Sequence, residues 1–339
     1  MPGGPSFFTT IAVAAVIGAP VSGSDAVPPE GFSETRVASV PVGATPATIW
    51  NRECAATDRV CTAGFAALRG DDTLYFFDPG RQNVKVIAIG LPRGGLARVI
   101  SGPTRSGARL EWLDGAVGDD GAVYLLRARS RTDPTVVFAA WHAGARSWIE
   151  SDPIDVGLLE PDSVSAPRLR AGSTVLAVLP SGEVALCAGR GLLGPALVVA
   201  REGRPLASRI RVRRAPGIDL PGGRQLHLRD GALELGTEPE RRFRLEGRLV
   251  GTDAAGRTFL SVAQSWSRER LDCYDHDGRL VASALLPGRP DWKPIFPRGA
   301  LLVSREGEVI EVCLSESGLV VWRWTPSTGT ALESGDGRD

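Results

Sequence analysis

The sequence predicts an all-β protein, a β-propeller of about six four-stranded antiparallel blades, on three observations. Helical periodicity is scarce after residue 30, where short runs of Val, Leu, Ile and Phe alternate with turns rich in Gly and Asp. Turn glycines recur in pairs 21–23 residues apart. The unit they define, roughly 50 residues, suits a propeller blade and is too long for a solenoid coil.

The clearest pair of units is Pro180 to Ser208 (PSGEVALCAGRGLLGPALVVAREGRPLAS) and Ala254 to Ser283 (AAGRTFLSVAQSWSRERLDCYDHDGRLVAS). Each opens on a small-residue turn, runs a strand, crosses a variable loop and runs a second strand. Each then turns on an acidic-Gly-Arg step. Gly182 and Gly203 mark the turns of one unit, Gly256 and Gly278 those of the other. Gly121 with Gly144 and Gly307 with Gly329 fit the same template, and a shorter version spans Asp71 to Gly90. Asp/Gly turns supply the positive φ of tight hairpins. A sheet apolar on both faces buries neither alone, so radial stacking around a channel is the stable solution.

First turns fall at Asp72, Gly121, Gly182, Gly231, Gly256 and Gly307, in steps of 49, 61, 49, 25 and 51 residues. The half-length step makes Arg224 to Gly247 either a shortened blade or an inserted hairpin, and five or seven blades remain alternatives to six. The long step contains Asp152 to Pro167, a Pro- and acid-rich loop. The run Glu34 to Gly43 (ETRVASVPVG) reads as a lone strand that completes the last sheet and closes the ring.

The uncharged apolar run Phe7 to Pro20 is too short to span a bilayer comfortably, and Ser24-Asp25-Ala26 after it suits cleavage. Residues 1–26 are therefore expected to be a signal peptide, although the preceding MPGGPS carries no Lys or Arg. Residues 27–330 then form one propeller domain and 331–339 a disordered tail. An extracytoplasmic monomer, periplasmic or secreted, is expected, with no stable membrane span after cleavage. Lys+Arg and Asp+Glu both number 39, and this balance argues against a nucleic-acid-binding surface.

Five cysteines fit an exported chain with one local disulfide. Cys54 and Cys61 lie seven apart in a polar segment that permits a small loop. Cys187, Cys273 and Cys313 sit in β-patterned runs and are expected to be buried free thiols.

The stretch VPVGATPATIW followed by TAGFAALRGDDTLYFFDPGRQNVKVI resembles the first blade of NHL-type or TolB-like six-bladed propellers. Phe65, Asp72, Tyr75, Asp78, Asn83 and Val84 carry the resemblance. The Asp-Pro-Gly-Arg-Gln-Asn spacing is longer than usual, and Lys85 stands where Arg is typical. The resemblance implies a six-bladed fold and no particular activity.

A catalytic triad needs a His base, and His142, His227 and His276 are the three available. His142 and His276 fall in outer turns and His227 in an alternating strand, so none suggests a nucleophile site. A metal-dependent propeller hydrolase or lactonase, the alternative reading, would need carboxylates such as Glu34, Glu53 and Asp253 at one channel mouth. No cofactor is indicated.

Recognition is the leading reading. Trp50, Trp266 and Trp292 lie in predicted loops beside Arg or Lys (WNRE, SWSRER, DWKP). Trp–Arg neighbourhoods suit protein, peptide and glycan contacts. Trp50, Arg52, Trp266, Arg268 and Trp292 are therefore the candidate ligand-binding residues, at one channel face. Trp112, Trp141, Trp148, Trp322 and Trp324 are expected to pack between blades.

Overall fold

A computed structural model describes residues 31–327 except 42, 44, 48–63, 91–93, 104–109, 146, 160–173, 180, 189–192, 194–195, 202–203, 207–210, 214–216, 230–231, 237–242, 266–267, 288–300 and 316–317. The expected signal peptide, the Cys54–Cys61 disulfide and the C-terminal tail lie outside the described residues.

The described strands form six antiparallel sheets in propeller arrangement, with helix confined to short 3-10 turns. The N-terminal strand β1 spans Phe32–Pro41. The first blade comprises β2 (Phe65–Arg69), β3 (Thr73–Asp78), β4 (Asn83–Ala88) and β5 (Gly95–Ser101), from channel to rim. The second has β6 (Glu111–Val117), β7 (Val123–Ala128) and β8 (Thr135–Trp141), with β9 (Ile149–Glu150) and β10 (Ile154–Asp155) both pairing β8 at the rim. The third comprises β11 (Thr174–Val178), β12 (Val184–Ala188), β13 (Ala196–Arg201), β14 (Arg204–Pro205) and β15 (Arg211–Arg213).

The fourth runs through β16 (Ile218–Leu220), β17 (Arg224–Arg229), β18 (Ala232–Gly236) and β19 (Phe243–Leu245). The fifth runs through β20 (Arg248–Thr252), β21 (Thr258–Ser265), β22 (Arg268–Tyr274) and β23 (Leu280–Leu285). The sixth contains β24 (Leu301–Val303), β25 (Val309–Ser315) and β26 (Gly318–Pro326), and β1 is its outermost strand. The ring thus closes on the N-terminal strand, as the sequence leads one to expect. Gly94 N–H of the first blade also donates to Val37 O of β1 (2.9 Å), tying the two end blades together.

Strands buried on both faces read as continuous apolar runs, and their alternate residues serve opposite neighbours. In β3, Leu74 and Phe76 pack with Ile310, Val312 and Val321 of the sixth blade. Tyr75 and Phe77 instead meet Trp112, Val123 and Leu125 of the second. In β12, Val184 and Leu186 join Tyr124, Leu126 and Phe138 of the second blade. Ala185 and Cys187 face the other way. Leu220, Leu226 and Leu235 of the fourth blade meet Leu260 of the fifth. Phe259 and Leu271 of the fifth meet Val309 and Trp324 of the sixth.

Two details depart from the sequence reading. The fourth blade's inner turn is Pro221–Gly223, where Gly223 has φ +72°, and not Gly231, which falls between β17 and β18. The half-length step is a misplaced turn in a compact blade. Asp152 to Pro167 is also not wholly a loop. Ile154–Asp155 pair with β8, and the 3-10 turn Val156–Leu159 buries Val156 and Leu159.

Candidate functional site

Every blade turns from its innermost strand to the next at one face of the ring, and each such turn holds a glycine at positive φ: Gly70, Gly121, Gly182, Gly223, Gly256 and Gly307. Four of these hairpins share one hydrogen-bond pattern. The N–H groups of Gly118, Leu179, Asp253 and Ser304 donate to the carbonyls of Ala122, Glu183, Arg257 and Glu308. A type I turn followed by a left-handed residue gives this geometry, which explains the glycine before the second strand.

At this mouth the turns are laced together across blades. Arg257 Nη2 of the fifth donates to Glu306 O of the sixth (2.9 Å). Glu306 N–H donates to Asp71 Oδ1 of the first (3.1 Å). Arg69 Nε of the first donates to Asp119 O of the second (3.0 Å), and Arg305 of the sixth pairs with the Asp119 carboxylate. Arg69, Asp72, Thr73, Asp119 and Arg305 line a cavity of about 340 Å³. The arginines and carboxylates are matched, so this belt reads as a clasp between blades.

The carboxylates weighed for a metal site do not gather here. Asp253 is buried in the fifth blade's turn against Arg257 (2.6 Å), whereas Glu34 lies on the outermost strand β1 opposite Trp324. Glu53 lies outside the described residues. Among the described residues, no group of three His, Cys, Asp or Glu side chains is placed to hold a metal ion.

The opposite face carries the strand ends between which the sequence candidates fall along the chain. Trp50, Arg52, Trp266 and Trp292 lie outside the described residues. The strand ends that bracket them, Pro41 and Phe65, Ser265 and Arg268, Leu285 and Leu301, all sit at this face. Arg268 opens β22, where its backbone pairs with Ser265. Beneath this face in the first blade, Lys85 is fully buried, its Nζ donating to Asp78 Oδ2 (2.6 Å) and Asn83 Oδ1 (2.8 Å). Burial lowers the Lys85 pKa and the Asp78 charge opposes that shift.

An aromatic–arginine neighbourhood lies at the rim, between the first and second blades. Arg98 of β5 stacks over the Trp141 ring, 5.0 Å from its centroid. Trp148 Nε1 donates to Ser101 O (2.8 Å). With Glu150 and the run Arg98 to Pro103, these side chains bound a groove of about 380 Å³. Glu150 is held by the buried Arg127 (2.5 Å). Trp112 and Trp324 are buried between blades as expected. Trp141 and Trp148 pack only partly on the core and face the groove, as local sequence does not reveal.

The remaining sequence candidates fall where expected. Cys187, Cys273 and Cys313 are buried free thiols, and burial pushes the Cys273 thiol up to about 12. His276 lies in an exposed turn with Nε2 3.5 Å from Asp277 Oδ2, and His227 lies in β17 opposite Glu234. No helix of the described residues is long and apolar enough to cross a membrane.

No protein-family profile matches the chain, and no curated protein matches its sequence. Among solved structures it is similar to a DUF4623 family protein from Bacteroides eggerthii, at 10% identity over 78% of this chain and 71% of that one, with a TM-score of 0.46. It is also similar to a member of the DUF4221 family from Bacteroides vulgatus, at 10% identity over 88% and 98%, with a TM-score of 0.44. A third is the PQQ-bound form of aldose sugar dehydrogenase from Streptomyces coelicolor, at 12% identity over 88% and 100%, with a TM-score of 0.38. No chemistry is carried over from any of them.

Proposed function

We propose that the protein is an exported, non-enzymatic recognition module that binds a protein, peptide or glycan in the rim groove between its first two blades. The observation that supports this reading is the half-exposed Trp141, held under Arg98 beside Trp148 in a cavity of ligand size. Aromatic and arginine side chains fixed by their surroundings bind with little loss of rotamer freedom, which is why they dominate contact energetics. Export rests on the Phe7 to Pro20 run and the Ser24-Asp25-Ala26 step. Kinship with NHL-type or TolB-like propellers draws support from the matched Asp78 and Asn83, which together hold Lys85.

The test is a peptide array and a glycan array probed in parallel with the native protein and with Trp141→Ala, Arg98→Ala and a control, Arg201→Ala. Binding lost about tenfold or more in the groove variants and retained in the control is the expected result. Binding that persists equally in all four proteins would overturn the reading.

A further inference from the structure

We propose that the groove takes an extended peptide bearing an acidic residue, which adds as a strand to the edge of β5 that pairs with no strand among the described residues. This rests on the groove being the recognition site and specifies its occupant. In the first blade's sheet β5 is the last strand, with β4 on one side. Antiparallel partners alternate between pairs that exchange hydrogen bonds and pairs whose backbone groups point away. Gly102 N–H donates to Gln82 O (2.8 Å), and this sets the phase. By alternation, Val84–Ile100 and Val86–Arg98 bond within the sheet, while Asn83–Ser101 and Lys85–Val99 turn the outer groups of β5 outward. The Trp148 hydrogen bond to Ser101 O agrees, since that carbonyl has to face out to receive it. Among the described residues, Val99 N–H and C=O and Ser101 N–H are left on the edge without a partner.

These groups belong to Val99 and Ser101, two of six consecutive residues, Arg98 to Pro103, that line the groove. Trp141 and Trp148 line it as well. A chain added there sits about 4.8 Å from β5 and places alternate side chains on the side that Arg98 and Ile100 share, toward the second blade. Charge selects among peptides. Glu150 is neutralised by Arg127, whereas among the described residues Arg98 faces an indole and no carboxylate. A carboxylate on the peptide therefore meets a guanidinium that the Trp141 ring already orients. A glycan would stack on an open aromatic face, and here Arg98 covers one face of Trp141 while the ring packs partly on the core.

The test uses capped peptides of about six residues, long enough to span roughly 20 Å extended. They alternate Val and Thr and carry one Glu or, in a matched set, one Lys. Fluorescence anisotropy reads binding to the native protein. Glu peptides are expected to bind about tenfold more tightly than Lys peptides, and Arg98→Glu is expected to reverse that order. Methylating one alternate set of peptide amides is expected to weaken binding at least about tenfold, and the other set to matter little. Val99→Pro removes an N–H that the sheet does not use, so it is expected to abolish binding and leave the blade folded. If that variant does not fold, the methylated peptides on the native protein still decide.

The proposal is overturned if no Glu peptide binds, or if binding ignores both amide methylation and Val99→Pro. Peptide binding that needs Trp141 and ignores methylation leaves the recognition reading standing and removes strand addition. So does a glycan that needs Trp141 when no peptide binds. Binding of either kind that ignores Trp141→Ala removes both.

Discussion

Arg305 of the sixth blade pairs with Asp119 of the second, reaching over the turn of the first blade between them. The two side chains are 64% and 78% exposed, so water and salt screen the pair heavily. The neighbouring pair is different. Arg257 lies 2.6 Å from Asp253, whose side chain is fully buried. Arg305→Ala is therefore expected to change the urea unfolding free energy by at most about 1 kcal/mol. Arg257→Ala strands a buried carboxylate that, among the described residues, keeps only the Arg257 backbone N–H, and is expected to cost about 3 kcal/mol. Equal losses in the two variants would mean that the exposed clasp carries more of the ring's stability than its solvation permits.

The turn glycines separate in the same way. Gly182 and Gly307 both have positive φ, +77° and +84°. A Cβ on Gly182 meets nothing within 4 Å, whereas on Gly307 it collides with Arg257 Nη2 and Asp253 Oδ2. Gly182→Ala is thus expected to cost about 1 kcal/mol, the strain of the left-handed conformation alone. Gly307→Ala adds the displacement of the Asp253–Arg257 pair and is expected to cost clearly more. Thermal unfolding of the two variants side by side measures the difference.

The blades are legible in the sequence because their signals are local. Val184 and Leu186 pack on the second blade while Ala185 and Cys187 are buried on the opposite side of the sheet, so the strand reads as a short apolar run between turns. The fourth blade misleads because Asp230-Gly231 carries a stronger hairpin signature than Pro221-Gly222-Gly223, although the latter is the inner turn. The groove is not legible for a different reason. Trp141 closes an apolar strand and Trp148 follows in the polar stretch ARSWIES of the same blade, and their partners Arg98 and Ser101 come from the blade before it. Strand runs do not encode which outer residues of adjacent blades face each other; the stacking of the blades sets that.

Alkaline pH supplies a readout of the fifth–sixth interface. Burial raises the Cys273 pKa to about 12 from an ordinary 9.0, with the nearby Arg257 charge opposing. Burial likewise raises Tyr124 to about 12 from 10.0. Each group is protonated in both states below its ordinary value, so its preference for the folded form is fully present there. As pH rises the unfolded chain ionises first, and the preference is lost by about pH 12. Cys273 alone accounts for at most about 4 kcal/mol of that loss. Cys273→Ala is expected to make unfolding free energy fall less steeply between pH 9 and pH 12. An unchanged slope in that variant would show that the thiol does not contribute.

Ring closure predicts where the structure opens first. β1 pairs with β26 from Phe32 to Pro41, and Val37 and Val40 pack among Leu74, Phe76, Val312 and Val321. Val40 is buried, at 2% exposure, whereas Thr35 on the same strand faces solvent. Val40→Asp places an unpaired charge in that cluster, at a cost of several kcal/mol. Thr35→Asp is expected to stay within about 0.5 kcal/mol of the native protein. Freed of β1, the sixth blade keeps β24 to β26, and the first blade loses the Val37–Gly94 hydrogen bond. Amide hydrogen exchange of Val40→Asp is therefore expected to quicken in β26 and around Gly94, while β12 and β13 of the third blade keep their protection. Uniform quickening in all six blades would instead mean that the ring unfolds as one unit, with no weak point at its closure.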